Sequence, residues 1–173
     1  MSLNYQILGE PGRDNALIVT IDPGQSVHRL LFDCGEGCLS QLPVAQITEI
    51  EAVFFSHFHM DHVAGFDSFV RANWNRADRP VRIFGPPGTI EIIHHRLRSF
   101  VWNLAAGSPG DWIVTELDNN ECRSVRLLST EGFAERHEVK STPHRGPIYF
   151  GGGCFEVDGL VLDHGTPSIG YYV

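Results

Sequence analysis

The chain has 173 residues, 42% of them hydrophobic, and a formal net charge of −8 from 21 Asp plus Glu against 13 Lys plus Arg. This length and apolar fraction exclude a disordered chain, and the acidic balance without a block of basic residues excludes a protein that grips nucleic acid by electrostatics alone. No apolar run approaches the roughly 18 residues of a membrane span, no charged-then-hydrophobic leader opens the chain, and Cys34, Cys38, Cys122 and Cys154 form no Cys-x-x-Cys pair.

The expectation is therefore a soluble, cytoplasmic protein without membrane contact, disulfide framework or zinc ribbon, with Cys34 and Cys38 as buried thiols. Strands are predicted near Tyr5 to Leu8, Ala16 to Ile21, Arg29 to Phe32 and Glu51 to Phe55. After Asp61, apolar Val63, Phe66, Val70 and Trp74 recur at three- and four-residue steps, which predicts one helix with a buried face, ending before Pro80. Val81 to Phe84 reads as the next strand, and Gly85-Pro86-Pro87-Gly88 as a turn into a helix from Thr89 to about Phe100.

Within that helix His94-His95-Arg96-Leu97-Arg98 is the nearest thing to a basic cluster, and helical spacing makes it a solvated face. From Trp112 the pattern is β again, over Trp112 to Leu117, Val125 to Ser129 and Arg136 to Lys140, with a turn at Asn119-Asn120. Gly151-Gly152-Gly153 reads as a flexible loop. Asp158-Gly159, inside Phe155 to Leu162, predicts a two-residue hairpin that delivers Asp163 and His164 at a strand end. The chain closes on Ile169 to Val173, a strand-like run whose edge calls for a partner: a second copy, as in a homodimer, or further chain.

The densest chemistry lies in Ser56-His57-Phe58-His59-Met60-Asp61-His62, directly after a strand. Neutral imidazole suits zinc, iron or manganese, and a carboxylate adds a harder oxygen donor. Spacing allows two ions: His57 and His59 can reach one, while Asp61 and His62, at the turn into a helix, can face a second. His28, His94, His95, His137 and His144 have no comparable context and read as structural or solvent-facing.

His57, His59, Asp61 and His62 match the His-x-His-x-Asp-His signature of the metallo-β-lactamase superfamily, which the chain resembles. Leu31-Phe32-Asp33-Cys34-Gly35-Glu36-Gly37 resembles the Asp-Cys-Gly-Glu-Gly segment of the ribonuclease Z branch. Arg13 to Ala16, Phe84 to Gly88, and Asp163 to Gly165 with Ser168 to Tyr171 are similar, in order, to that branch's Arg-Asn stretch, Gly-Pro turn and third metal motif. The branch's early loop is shortened here to Leu8-Gly9-Glu10-Pro11-Gly12.

The resemblance implies an α/β fold of the αββα sandwich type, incomplete in this chain. Residues 1–173 would be the N-terminal half to two-thirds of a single domain, since the family's bridging Asp and last His have no counterpart after His164. It implies two divalent metal ions, zinc or else manganese or iron, with His57, His59 and His164 on one and Asp61 with His62 on the other. Asp61 would also orient the attacking water, and Asp33 would hold a ligand imidazole in one tautomer.

A metal ion lowers the pKa of bound water from about 16 to about 7, which makes hydroxide available near neutrality. The activity implied is metal-dependent phosphodiester hydrolysis in transfer RNA 3′-end maturation, with precursor transfer RNA as partner. A small-molecule hydrolase of the same fold, acting on an ester, lactone, sulfate or phosphodiester, and a non-catalytic metal-binding fragment remain alternatives.

Overall fold

Strands β1 (Ser2–Ile7), β2 (Leu17–Asp22) and β3 (His28–Phe32) form an antiparallel meander. β4 (Ile50–Phe54), β5 (Val81–Gly85) and β6 (Asp111–Leu117) then add in parallel, each joined to the preceding strand through helix. β7 (Glu121–Leu128) and β8 (His137–Pro143) return antiparallel and complete an eight-stranded sheet in sequential order. In the computed structural model residues 1–10 and 12–173 are described, so Pro11 of the shortened early loop lies outside them.

Because the strand order never reverses, crossovers of one hand carry every helix to the same face. The helices are α1 (Val44–Glu49), α2 (Met60–Val63), α3 (Phe66–Asn73) and α4 (Thr89–Arg98). Ile47, Phe66, Phe69, Ile90, Ile93 and Leu97 from these helices pack on Leu31, Val53, Ile83 and Trp112 of the sheet.

The opposite face is covered by a three-stranded sheet, β9 (Tyr149–Gly151), β10 (Phe155–Asp163) and β11 (Pro167–Tyr172), in the order β11-β10-β9. Register sets Phe32, Phe54 and Phe84 side by side across three strands, and their rings stack at 5.0 and 4.9 Å. Tyr171 and Tyr149 of the second sheet meet Phe54 edge-on from above. Each fully buried ring stabilises the fold by about 2 kcal/mol. Glu51 pins the lower end of this interface by accepting from Tyr149 Oη at 2.8 Å and pairing with His28 Nδ1 at 2.9 Å.

Three layers of the expected αββα sandwich are thus present. Leu160, Leu162 and Tyr172 on the second sheet are exposed, as are Leu3, Tyr5 and Ile7 on β1. Among the described residues no helix covers the second sheet, and β11 has no neighbour on its outer edge.

Two expectations are corrected. The helix after Asp61 is broken into α2 and α3, because Gly65 lies against the loop after β3: its amide donates to the Cys34 carbonyl at 2.9 Å, and a Cβ there would stand 2.0 Å from the Gly35 oxygen. The chain must dip at this point, and a continuous helix cannot.

The hairpin turn is not at Asp158-Gly159, which lies inside β10, but at residues 164–166 between β10 and β11. Gly159 is a close-approach position: a Cβ would meet Ile169 Cγ2 at 2.7 Å. Asp158 is occupied by His144, Tyr172 Oη and the Gly159 amide. The true turn uses Asp163, whose carboxylate accepts from the Gly165 amide at 2.9 Å, and Gly165 at φ 73°.

Candidate metal centre

The loop after β4 is shaped by its neighbours on both sides. Asp33, directly after β3, has φ 58°, a left-handed conformation that costs energy for a non-glycine residue and that Asp tolerates better than most. Held by its amide bond to the Phe54 carbonyl at 2.9 Å, Asp33 turns its carboxylate across the strand ends. Its Oδ1 accepts from the Ser56 amide, and its Oδ2 accepts from Ser56 Oγ and His62 Nδ1, all at 2.8 Å.

Ser56 Oγ, having given its hydrogen to Asp33, can accept from His57 Nδ1 at 3.0 Å. The network therefore assigns the proton to Nδ1 on both His57 and His62 and leaves both Nε2 atoms as acceptors.

His164 comes from the other sheet. The Ile169 amide donates to the Ser56 carbonyl at 2.8 Å and Tyr171 Oη to the Phe55 carbonyl at 2.9 Å, so β11 is clamped to the motif loop and the β10–β11 turn stands over it. One ring nitrogen from each of His57, His59 and His164 lies within 4.8 Å of the others, with His57 Nε2 and His59 Nδ1 3.0 Å apart. His57 is buried and the other two are exposed. Three imidazole nitrogens turned toward one point, with Ser56, itself bound to the Asp33 carboxylate, holding the proton on the far side of the His57 ring, fit a divalent cation.

Asp61 and His62 stand beside this cluster, not in it. His62 packs against His57 with ring centroids 4.1 Å apart, and its Nε2 is 3.5 Å from Asp61 Oδ2. Asn15 completes the corner: its side-chain amide donates to Asp61 Oδ2 at 3.0 Å and lies 3.3 Å from His62 Nε2. Its backbone is fixed by bonds to the Asp61 carbonyl and the Gly35 amide. Sequence reasoning assigned Asn15 and Ser56 no place in the site; the signal for Asn15 was its position in the Arg13 to Ala16 stretch. Asn15, Asp33 and His62 also border a groove of about 610 Å3 whose apolar wall is Tyr5, Ile7, Leu17 and Phe32.

The two rings titrate in opposite directions. Burial, followed by the nearby His62 and His59, pushes the His57 pKa below its ordinary 6.5. The hydrogen bond that His62 donates to Asp33 lifts His62 above that value against a smaller opposing effect of burial. Burial also raises the Cys34 thiol strongly, so Cys34 and Cys38 are inert core thiols.

The remaining histidines are occupied elsewhere. His28 bonds Glu51, His94 bonds the Phe133 carbonyl, His95 pairs with Glu91, His137 with Glu131 and His144 with Asp158. In the stretch from His94 to Arg98, His94 and Leu97 are buried and Arg96 pairs with Asp67 at 2.7 Å, which leaves only His95 and Arg98 as its exposed face.

Residues 28–169 match the beta-lactamase superfamily domain. The chain is 40% identical over 169 residues to ribonuclease Z of Deinococcus radiodurans, an alignment that takes in 98% of this chain and 51% of that protein. It thus spans about half the length of that relative. Its fold superposes on human tRNase Z, short form, with a TM-score of 0.57 at 18% identity, covering 96% of this chain and 63% of the other. A diphosphatase of the PhnP family superposes with a TM-score of 0.63 at 15% identity, over 99% of this chain and 62% of that one. The sandwich, the histidine-rich loop at the strand ends and the matched span agree: the chain belongs to the beta-lactamase superfamily and, within it, is similar to ribonuclease Z.

Proposed function

We propose that this chain carries the metal-binding part of a ribonuclease Z-type phosphodiesterase that removes the 3′ trailer of precursor transfer RNA. The observation that carries the reading is the convergence of His57, His59 and His164 beside the Asp61–His62 pair, in a chain 40% identical to a ribonuclease Z over its length. His57, His59 and His164 would hold one divalent ion, and Asp61 with His62 would contribute to a second; zinc is the leading candidate, with manganese and iron as alternatives. Bound there, such ions lower the pKa of water and place positive charge against the phosphoryl oxygens.

The chain's own residues do the positioning. Asp33 keeps a proton on His62 Nδ1 and, through Ser56, on His57 Nδ1, so both Nε2 atoms stay available to a cation. Asn15 holds Asp61 Oδ2, which leaves Oδ1 to orient an attacking water and accept its proton. The groove beside His62 gives a substrate a route to this corner.

Two cores on either face of one sheet support reading residues 1–173 as part of a single domain. The unpaired edge of β11 supports pairing with a further strand, from a second copy or from additional chain. No helix among the described residues is long and apolar enough to cross a membrane, and a transfer RNA substrate would place the protein in the cytoplasm.

The experiment is incubation with a 3′-extended transfer RNA precursor and added zinc or manganese, with product length read on a gel. Release of the trailer by the wild-type protein and none by His59→Ala supports the proposal. Hydrolysis of bis(p-nitrophenyl) phosphate with an intact precursor favours the small-molecule reading, which the net charge of −8 also favours. A metal-loaded chain that hydrolyses neither points to a metal-binding fragment.

A further inference from the structure

Beyond Tyr149, which packs on Phe84 of β5, residues 143–148 border an open cavity of about 500 Å3 over β5 to β8. Its floor follows from strand register: Phe84, Thr115, Ser124 and Lys140 stand opposite one another across four strands. Residues paired in this way project to the same face of a sheet. The row therefore presents two hydroxyls and an ammonium group side by side, with Thr115 Oγ1 and Ser124 Oγ 2.8 Å apart. Arg82, two residues before Phe84 on β5, shares the face, and Arg145 lines the cavity from the bordering segment.

The charge of this cavity runs against that of the chain. Acidic groups outnumber basic ones 21 to 13, yet no Asp or Glu lines the cavity while Arg82, Lys140 and Arg145 do. Among the described residues none of these three pairs with a carboxylate, whereas Arg29, Arg79, Arg96, Arg123, Arg126 and Arg136 each do. Lys140 is the only lysine in the chain. Uncompensated charges of one sign around a partly apolar cleft focus the field there and raise the local concentration of anions. Apolar residues also line it: Phe150 is 66% exposed, with Ile148 and Pro147 alongside. An exposed aromatic face beside cations is a stacking platform for a base.

We propose that this cavity binds a nucleoside phosphate, its phosphate held by Lys140, Arg145 and Arg82 with the Thr115 and Ser124 hydroxyls beneath, and its base against Phe150. The volume lies in the range of about 300 to 1,000 Å3 usual for ligand pockets. The cavity shares no residue with the His57, His59 and His164 cluster, so the proposal stands or falls independently of the phosphodiesterase reading. A free nucleotide and the terminal nucleotide of an RNA chain have this same chemistry.

Calorimetric titration of the protein with 5′-adenosine monophosphate, adenosine and inorganic phosphate, in the presence of a metal chelator, tests the site. The monophosphate is expected to bind more tightly than either half. Its affinity should fall about tenfold in Lys140→Ala and again in Arg145→Ala. Both side chains are exposed, so the melting temperature should not move. Phe150→Ala should weaken the monophosphate several-fold and leave inorganic phosphate unchanged.

Displacement of the monophosphate by a 5′-phosphorylated oligoribonucleotide assigns the ligand to an RNA end, and failure to displace it assigns a free nucleotide. Undetectable binding, adenosine binding as tightly as its monophosphate, or full affinity in the double variant Lys140→Ala/Arg145→Ala would overturn the proposal.

Discussion

The His57, His59 and His164 cluster and the Asp61, His62, Asp33 and Asn15 corner touch through the packed rings of His57 and His62, yet they are built in different ways. The first joins side chains from two sheets, and it depends on the two bonds that β11 makes to Ser56 and Phe55. The second is drawn from helix α2 and the loops of the first sheet alone and is held by direct side-chain hydrogen bonds. Acceptors gathered without donors want a cation. Acceptors already engaged by an amide and an imidazole are oriented in advance, and they exchange part of that bonding for metal when it binds.

The largest effect should come from breaking the first region. His59→Ala is expected to remove one ion per chain, measured by elemental mass spectrometry, and to lower phosphodiester hydrolysis by about 1,000-fold or more, since a metal supplies several kcal/mol to such a transition state.

Asp33→Asn attacks the second region through its support. Asn tolerates the left-handed backbone at this position, so the fold should persist, while the amide no longer selects a proton on His62 Nδ1. A loss of about 10- to 100-fold in metal affinity is expected in a chelator competition. An unchanged affinity would mean that the carboxylate serves only the loop.

Gly159→Ala separates the regions. The new methyl presses on Ile169, the residue whose amide clamps β11 to Ser56, so it should cost about 1 to 3 kcal/mol in denaturant unfolding and weaken the cluster that contains His164. The His62–Asp33 bond should survive, visible as an unaltered imidazole resonance of His62.

The smallest effect, and the sharpest, is on pH. In the metal-free chain, NMR titration should place His57 below 6.5 and His62 above it. Because its folded pKa is depressed, His57 contributes stability that is present above 6.5 and lost as pH falls through the folded value. The raised His62 contributes stability that is present below 6.5 and lost as pH rises through its own folded value. In Asp33→Asn the His62 value should return toward 6.5 while His57 stays low.

Much of the site was legible in the sequence because its spacing is local. His57, His59, Asp61 and His62 lie within six residues, and the apolar run before them reads as a buried strand, so the end of β4 was marked as the place of the chemistry. Asp33 was legible only through its resemblance to a known segment. Asn15 was not, because it lies 46 residues from Asp61, and nothing in its own neighbourhood shows that its amide faces a carboxylate.

The hairpin shows the limit of local signals. Asp-Gly favours a turn in isolation, but in β10 the absence of a Cβ at Gly159 is used to bring Ile169 close, and the packing of two sheets outweighs a turn preference.

By itself, then, the sequence determined most strand and helix segments and the chemical identity of the histidine-rich loop, since alternation, apolar runs and ligand spacing act over a few residues, while the layer type was implied by the resemblance. The resemblance placed His164 with His57 and His59, but only the tertiary structure added Asn15 and Ser56 to the site. His164, Asn15 and the Arg82, Lys140 and Arg145 cavity arise from strand register and from the contact of two sheets, and those depend on burial summed over residues far apart in the chain.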